Sequence, residues 1–168
     1  LQPEYQPEFG IQMQVTVQQI EAALAQDSKI KAVLLTSPNY YGVAADVRAI
    51  ADCCHAHNAV LLVDEAHGPH LGFSELLPPS ALQCGADACA QSTHKILGAM
   101  TQCSMLHVQG ARLDLQRAAD VTFDDDKSQL SADGITGCCQ SAGAGLRQGD
   151  GSGGCTGCCQ AAQPVCRL

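Results

Sequence analysis

The 168-residue sequence has no tryptophan and only three phenylalanines and three tyrosines, so its core has to be assembled from Ala, Val, Leu and Ile, the material of helices packed on a buried sheet. Basic residues are also scarce. Nine Lys and Arg stand against 17 Asp and Glu, a net charge of −8 without any basic cluster, which excludes the Lys/Arg stripe of a nucleic-acid-binding chain. An acidic surface favours cationic small molecules instead. No run approaches the ~18 apolar residues of a membrane-spanning helix, and the start Leu1-Gln2-Pro3-Glu4-Tyr5 carries neither the basic region nor the apolar run of a secretory leader. The expectation is a soluble, cytoplasmic or organellar chain that engages neither nucleic acid nor membrane.

Cysteine is the exception to this sparseness, with 11 residues in two unlike groups. Cys53, Cys54, Cys84, Cys89 and Cys103 lie in apolar, periodic segments, where Cys acts as a small hydrophobe. Cys138, Cys139, Cys155, Cys158, Cys159 and Cys166 lie in a Gly/Ser/Gln-rich end. Cys155-Thr156-Gly157-Cys158 has the spacing of half a zinc site, but its flanks lack the turn and core signals of a zinc module, and the reading is that no metal is bound. Nine of the 16 glycines fall between Ser131 and Leu168, without apolar period, so this end is expected to be disordered.

Upstream the periods are regular. Thr16-Val17-Gln18-Gln19 has the form of a capping box, and Val17, Ile20 and Leu24 continue it at helical spacing, which predicts a helix over 16–27. Ala32-Val33-Leu34-Leu35 predicts a parallel strand buried on both faces. Val47, Ile50, Ala51 and Cys54 form the apolar stripe of a helix between Ala44 and His57, ended by Asn58. Ala59 to Val63 is a second buried strand, Ser80 to Cys84 a helical turn, and Ala88 to Gln91 a short strand that runs into Ser92-Thr93-His94-Lys95. A further helix is expected from Gly110 through Asp120. Strand, helix, strand in this order specifies a parallel α/β sheet. Ligands in such sheets lie outside the carboxyl ends of the strands, so 38–42, 64–67 and 92–95 would face one site. On spacing alone, Asp64 and Lys95 read first as a structural ion pair between neighbouring strand ends.

Local sequence adds more. The run from Ala90 through Ser92-Thr93-His94-Lys95-Ile96-Leu97-Gly98 to Ser104 closely resembles the pyridoxal-phosphate attachment pattern of the Orn/Lys/Arg decarboxylases. Thr36-Ser37-Pro38-Asn39-Tyr40-Tyr41-Gly42 and Val63-Asp64-Glu65-Ala66-His67-Gly68-Pro69-His70 resemble the same family, in its order and approximate spacing. The likeness runs from about Pro3 to about Arg117, with Cys103 standing where the family usually has Ser, Thr or Ala. Family members also carry a phosphate loop and a ring-stacking His before this region and further domains after it, so the chain reads as a fragment. Residues 1–117 would be part of the major domain and 118–168 a divergent tail.

The resemblance implies the α/β large domain of the fold type I, aspartate aminotransferase-like enzymes, with pyridoxal 5′-phosphate as cofactor. It further implies decarboxylation of lysine, arginine or ornithine by a homodimer or higher homo-oligomer, the fragment alone being inactive. Lys95 would be the Schiff-base lysine and Asp64 the partner of the pyridine nitrogen. Ala66 would leave room for the ring, and Ser92 and His94 would donate to the phosphate. His67 would touch the cofactor or the substrate carboxylate, or satisfy a buried loop. His55, His57, His70 and His107 read as structural or exposed. Two other readings stand beside this one: a non-catalytic remnant acting as a cofactor-binding or dimerisation module, and another fold type I enzyme such as an aminotransferase, against which the contexts of Asp64 and Lys95 argue.

Overall fold

The computed structural model describes residues 1–101 and 103–114 in full and, beyond them, the backbone of strands at Leu130–Ser131 and Gly134–Gln140. A two-residue hairpin, β1 (Tyr5–Gln6) with β2 (Ile11–Gln12), precedes helix α1 (Val17–Gln26). The capping box forms as its sequence requires. The Thr16 hydroxyl accepts the Gln19 N–H at 3.3 Å, and the Gln19 side-chain oxygen accepts the Thr16 N–H at 3.0 Å. After β3 (Ala32–Thr36), helix α2 (Val47–Ala56) starts at Asp46, whose carboxylate accepts the Ala49 N–H at 3.1 Å. It ends where Asn58 turns left-handed at φ 55°, a conformation that Asn tolerates better than most residues.

Strands β4 (Val60–Asp64) and β5 (Ala88–Gln91) follow, then the single turn α3 (Thr93–Ile96) and β6 (Cys103–Val108). Numbering the last two strands β7 (Leu130–Ser131) and β8 (Gly134–Gln140), the sheet order is β3-β4-β5-β6-β8-β7. The first three run parallel, and the sheet turns antiparallel from β6 onwards. The class is α/β, as expected. The core lies between the helices and one sheet face: Ile20 and Leu24 of α1 and Ile50 and Cys54 of α2 pack with Leu61 and Val63 of β4. Cys54, Cys84 and Cys89 are buried thiols in this layer. Burial pushes Cys54 up to about 11 and raises the other two, so all three stay protonated near neutrality and pack as apolar groups. A smaller cluster, Ala88 and Val108 with Leu62, Leu106 and Leu113, lies apart from it.

Five expectations need correction or fall outside the described residues. Strand β3 is not buried on both faces: it is the sheet edge, and Leu34 is 75% exposed while Leu35 is buried. An apolar run of four residues shows that a strand is present but not where it sits in the sheet. The helix from Gly110 is not formed over Ala111 to Asp114, and its remainder lies outside the described residues. The disordered end lies outside them too, apart from the β7 and β8 backbone, as do Cys155-Thr156-Gly157-Cys158 and the boundary near residue 117. Strands β1, β2 and β6 have too little periodicity of their own to announce themselves in the sequence. Among the described residues no helix is long and apolar enough to cross a membrane.

Candidate active site

The parallel strands end at one level. Thr36 of β3 lies opposite Asp64 of β4, and Asp64 opposite Ala90 of β5. Backbone bonds carry this register into the loops: Ser37 N–H donates to the Asp64 carbonyl at 3.0 Å, and Glu65 N–H donates to the Ala90 carbonyl at 2.8 Å. The segments after the three strands therefore leave the same sheet edge side by side, bringing Tyr40, Asp64 to His67, and Ser92 to Lys95 into one neighbourhood.

Asp64 is half-buried, and its Oδ1 accepts the Ala66 N–H at 3.1 Å, which folds the carboxylate over the turn that follows. Ala66 and His67 are half-buried as well. The His67 ring meets Tyr40 edge to face, with centroids 6.2 Å apart. Gly68 closes this turn because a Cβ there would sit 2.5 Å from the Glu65 side chain and 3.0 Å from those of Leu71 and Pro38. The loop carrying Tyr40 is pinned by Asn39, whose Nδ2 donates to the carbonyls of Gln12 and Met13 and whose Oδ1 accepts the N–H groups of Tyr41 and Val43.

On β5's side, Ser92 caps α3 without using its hydroxyl as a cap. His94 Nδ1 lies 2.7 Å from the Cys103 carbonyl; the carbonyl only accepts, so Nδ1 carries a proton and the ring is fixed against β6. Lys95 is exposed on the same turn. The ion pair that spacing allowed is not formed: among the described residues the ion pairs are His55 and Arg112 with Asp87, and the Lys95 ammonium has no side-chain partner. It is accessible to a ligand.

Behind this row lies a buried layer that residue type alone did not reveal. Glu65 is 1% exposed; burial raises its pKa, against the donated hydrogen bonds of Gln91, Ala81 and Cys89, which pull it down. His107 is half-buried and bonded to Gln91, the structural one of its two expected placements, and burial lowers its pKa. Asp87 is 2% exposed and accepts the Leu61 N–H at 2.8 Å, with His55 Nε2 at 2.9 Å and Arg112 at 3.5 Å. His70 Nδ1 is buried without a partner. An apolar strand closing on two adjacent acids, Asp64-Glu65, was the available signal for Glu65, because alternation must turn one of the pair inwards.

The family profile for the Orn/Lys/Arg decarboxylase major domain matches residues 1–129. The chain belongs to the Orn/Lys/Arg decarboxylase family. Among curated relatives, the arginine decarboxylase of Halalkalibacterium halodurans is 40% identical over 121 residues, 72% of this chain and 25% of that protein. The arginine decarboxylase of Bacillus cereus is 39% identical over 121 residues, 72% of this chain and 26% of that protein. The chain thus spans about a quarter of the length of these relatives. The crystal structure of mouse CSAD in its apo form is similar with a TM-score of 0.50 and 28% identity, covering 68% of this chain and 24% of that one.

The cofactor this family implies is pyridoxal 5′-phosphate, and the residues present fit it. They offer an exposed amine at Lys95 without a side-chain partner among the described residues, a half-buried carboxylate at Asp64 on the neighbouring strand, the small Ala66 in the turn after it, and the Ser92 hydroxyl and the His94 ring in the turn of the amine.

Proposed function

We propose that this chain is the cofactor-holding part of a decarboxylase acting on a basic amino acid, lysine, arginine or ornithine, in an assembly of identical subunits. The observation that carries the reading is the placement of Asp64 and the unpaired Lys95 beyond the carboxyl ends of adjacent parallel strands. The names of the arginine decarboxylases it is similar to support it.

Each residue then has work that its surroundings permit. Lys95 holds the cofactor aldehyde through its amine, which pairs with no carboxylate among the described residues. The cofactor, when bound, supplies an electron-poor ring that takes up the electron pair left as carbon dioxide departs. Asp64 keeps a proton on the ring nitrogen, the atom through which that capacity is controlled. Ala66 leaves room for the ring at the strand end. The Ser92 hydroxyl donates to the phosphate. His94, its ring fixed by the Nδ1 contact with the Cys103 carbonyl, stands with Ser92 on the phosphate side. His67, held edge-on by Tyr40, borders the same space, where it meets the cofactor or the substrate carboxylate.

Borohydride reduction of the chain with pyridoxal phosphate, followed by peptide mass mapping, is expected to place the phosphopyridoxyl group on Lys95. A label on another lysine instead, or no label, overturns the reading.

A further inference from the structure

Glu65 sits between Asp64 and Ala66, yet its side chain turns away from them into the protein. Its Oε1 accepts the Ala81 N–H at 2.7 Å, and its Oε2 accepts Gln91 Nε2 at 2.6 Å and the Cys89 thiol at 3.7 Å. Gln91 reaches on with its other end: Oε1 lies 3.1 Å from His107 Nε2. These contacts have a direction. An ionised carboxylate only accepts, so the amide nitrogen of Gln91 faces Glu65, its oxygen faces His107, and the His107 proton stands on Nε2. The chain of bonds crosses three adjacent strands, from the end of β4 through the last residue of β5 to β6. Gln91 precedes Ser92, so the relay joins the turn holding Asp64 and Ala66 to the turn holding Ser92, His94 and Lys95.

We propose that Glu65 is a positioning residue which, through Gln91 and His107, clamps the Asp64 turn to the Lys95 turn, with the orientation of the Gln91 amide and the tautomer of His107 both dictated by the carboxylate. The clamp rests on the proposed function only for the identity of the groups it positions. The packing around Glu65 leaves it little other geometry, since a Cβ on Gly68 would already overlap its side chain.

The test is the ring tautomer of His107, read by long-range proton–nitrogen NMR on the full chain labelled at histidine, with His107→Gln assigning its signal among the six histidines. In Glu65→Gln the new amide keeps its oxygen on the Ala81 N–H and presents its nitrogen to Gln91. The Gln91 amide must then reverse, donate to His107 Nε2 and drive the proton to Nδ1. Free imidazole prefers the Nε2 proton, so mere loosening of the site does not produce this change. An unchanged tautomer in Glu65→Gln overturns the relay.

The exchange Glu65→Gln with Gln91→Glu puts an acceptor back opposite His107; it is expected to restore the Nε2 tautomer and to recover most of any unfolding midpoint lost in Glu65→Gln. Should Glu65→Gln not fold, the exchange variant is expected to fold, and one no better folded overturns the proposal. Gln91→Leu cuts the clamp where Glu65→Gln only reverses it, so borohydride labelling of Lys95 at limiting cofactor should fall severalfold in Gln91→Leu and by less in Glu65→Gln. Labelling that is unaffected in Gln91→Leu overturns the positioning role. Absence of label in the wild-type chain overturns the proposed function instead, and leaves the tautomer result to judge the relay.

Discussion

Asp64 and Asp87 stand at opposite ends of neighbouring strands of one sheet, and what surrounds each decides its work. Asp64 is half-buried and holds one backbone N–H of its own turn, so most of its capacity as an acceptor remains for a ligand. Asp87 is spent entirely inside the protein on Leu61 N–H, His55 and Arg112. Alanine should separate them. Asp64→Ala forfeits one half-buried hydrogen bond, about 1 kcal/mol, while lowering turnover of the whole enzyme by orders of magnitude. Asp87→Ala strips the buried Leu61 amide of its acceptor and removes the partner of His55 and of the half-exposed Arg112, costing about 2 kcal/mol. Urea unfolding and carbon dioxide release, measured on both variants, check the contrast; equal loss of stability would dissolve it. The placement of Asp64 and Lys95 at the ends of neighbouring strands was legible in sequence because motif and strand end coincide. Asp87, Glu65, Gln91 and His107 were not, because each is defined by partners 16 to 32 positions away, which no local pattern records.

Among the elements, α1 and α2 were readable because amphipathic period and cap chemistry agree within one stretch of chain. The α1 cap yields a direct check. Thr16→Ala removes the hydroxyl that accepts Gln19 N–H and should cost about 1 kcal/mol, whereas Thr16→Ser, which keeps the oxygen, should cost a few tenths. Equal effects in urea unfolding would show that the box contributes nothing and that α1 is held by Ile20 and Leu24 alone. The strands were read less completely. The apolar runs of β3, β4 and β5 identified them as strands, but the edge position of β3 depends on pairing across the sheet. Strand β6 hides inside the stretch following Lys95, where Ser104 and His107 interrupt any apolar run. Its antiparallel direction matters to the site, since it brings the Cys103 carbonyl to His94 and His107 to Gln91.

For the whole molecule, the two titrating groups at the ends of the relay set opposing pH dependences. The pKa of Glu65 is raised above its ordinary 4.5, so between 4.5 and that raised value the folded chain keeps a proton that the unfolded chain has released, and stability falls as pH rises. The pKa of His107 is lowered below 6.5, so between the lowered value and 6.5 the unfolded chain binds a proton that the folded chain does not, and stability falls as pH drops. In the wild-type chain the two slopes have opposite signs. Glu65→Gln removes the first and leaves the second. Its unfolding free energy should therefore climb more steeply from pH 4.5 to 6.5 than the wild type's, the difference in slope being positive and at most about 1.4 kcal/mol per pH unit, the limit for one proton. His107→Gln should tilt the profile the other way. Exposed carboxylates titrate alike in all three chains and cancel in the comparison, so parallel profiles in a pH series of urea unfolding would mean that neither group titrates differently in the folded chain, and the burial argument for both would fail together.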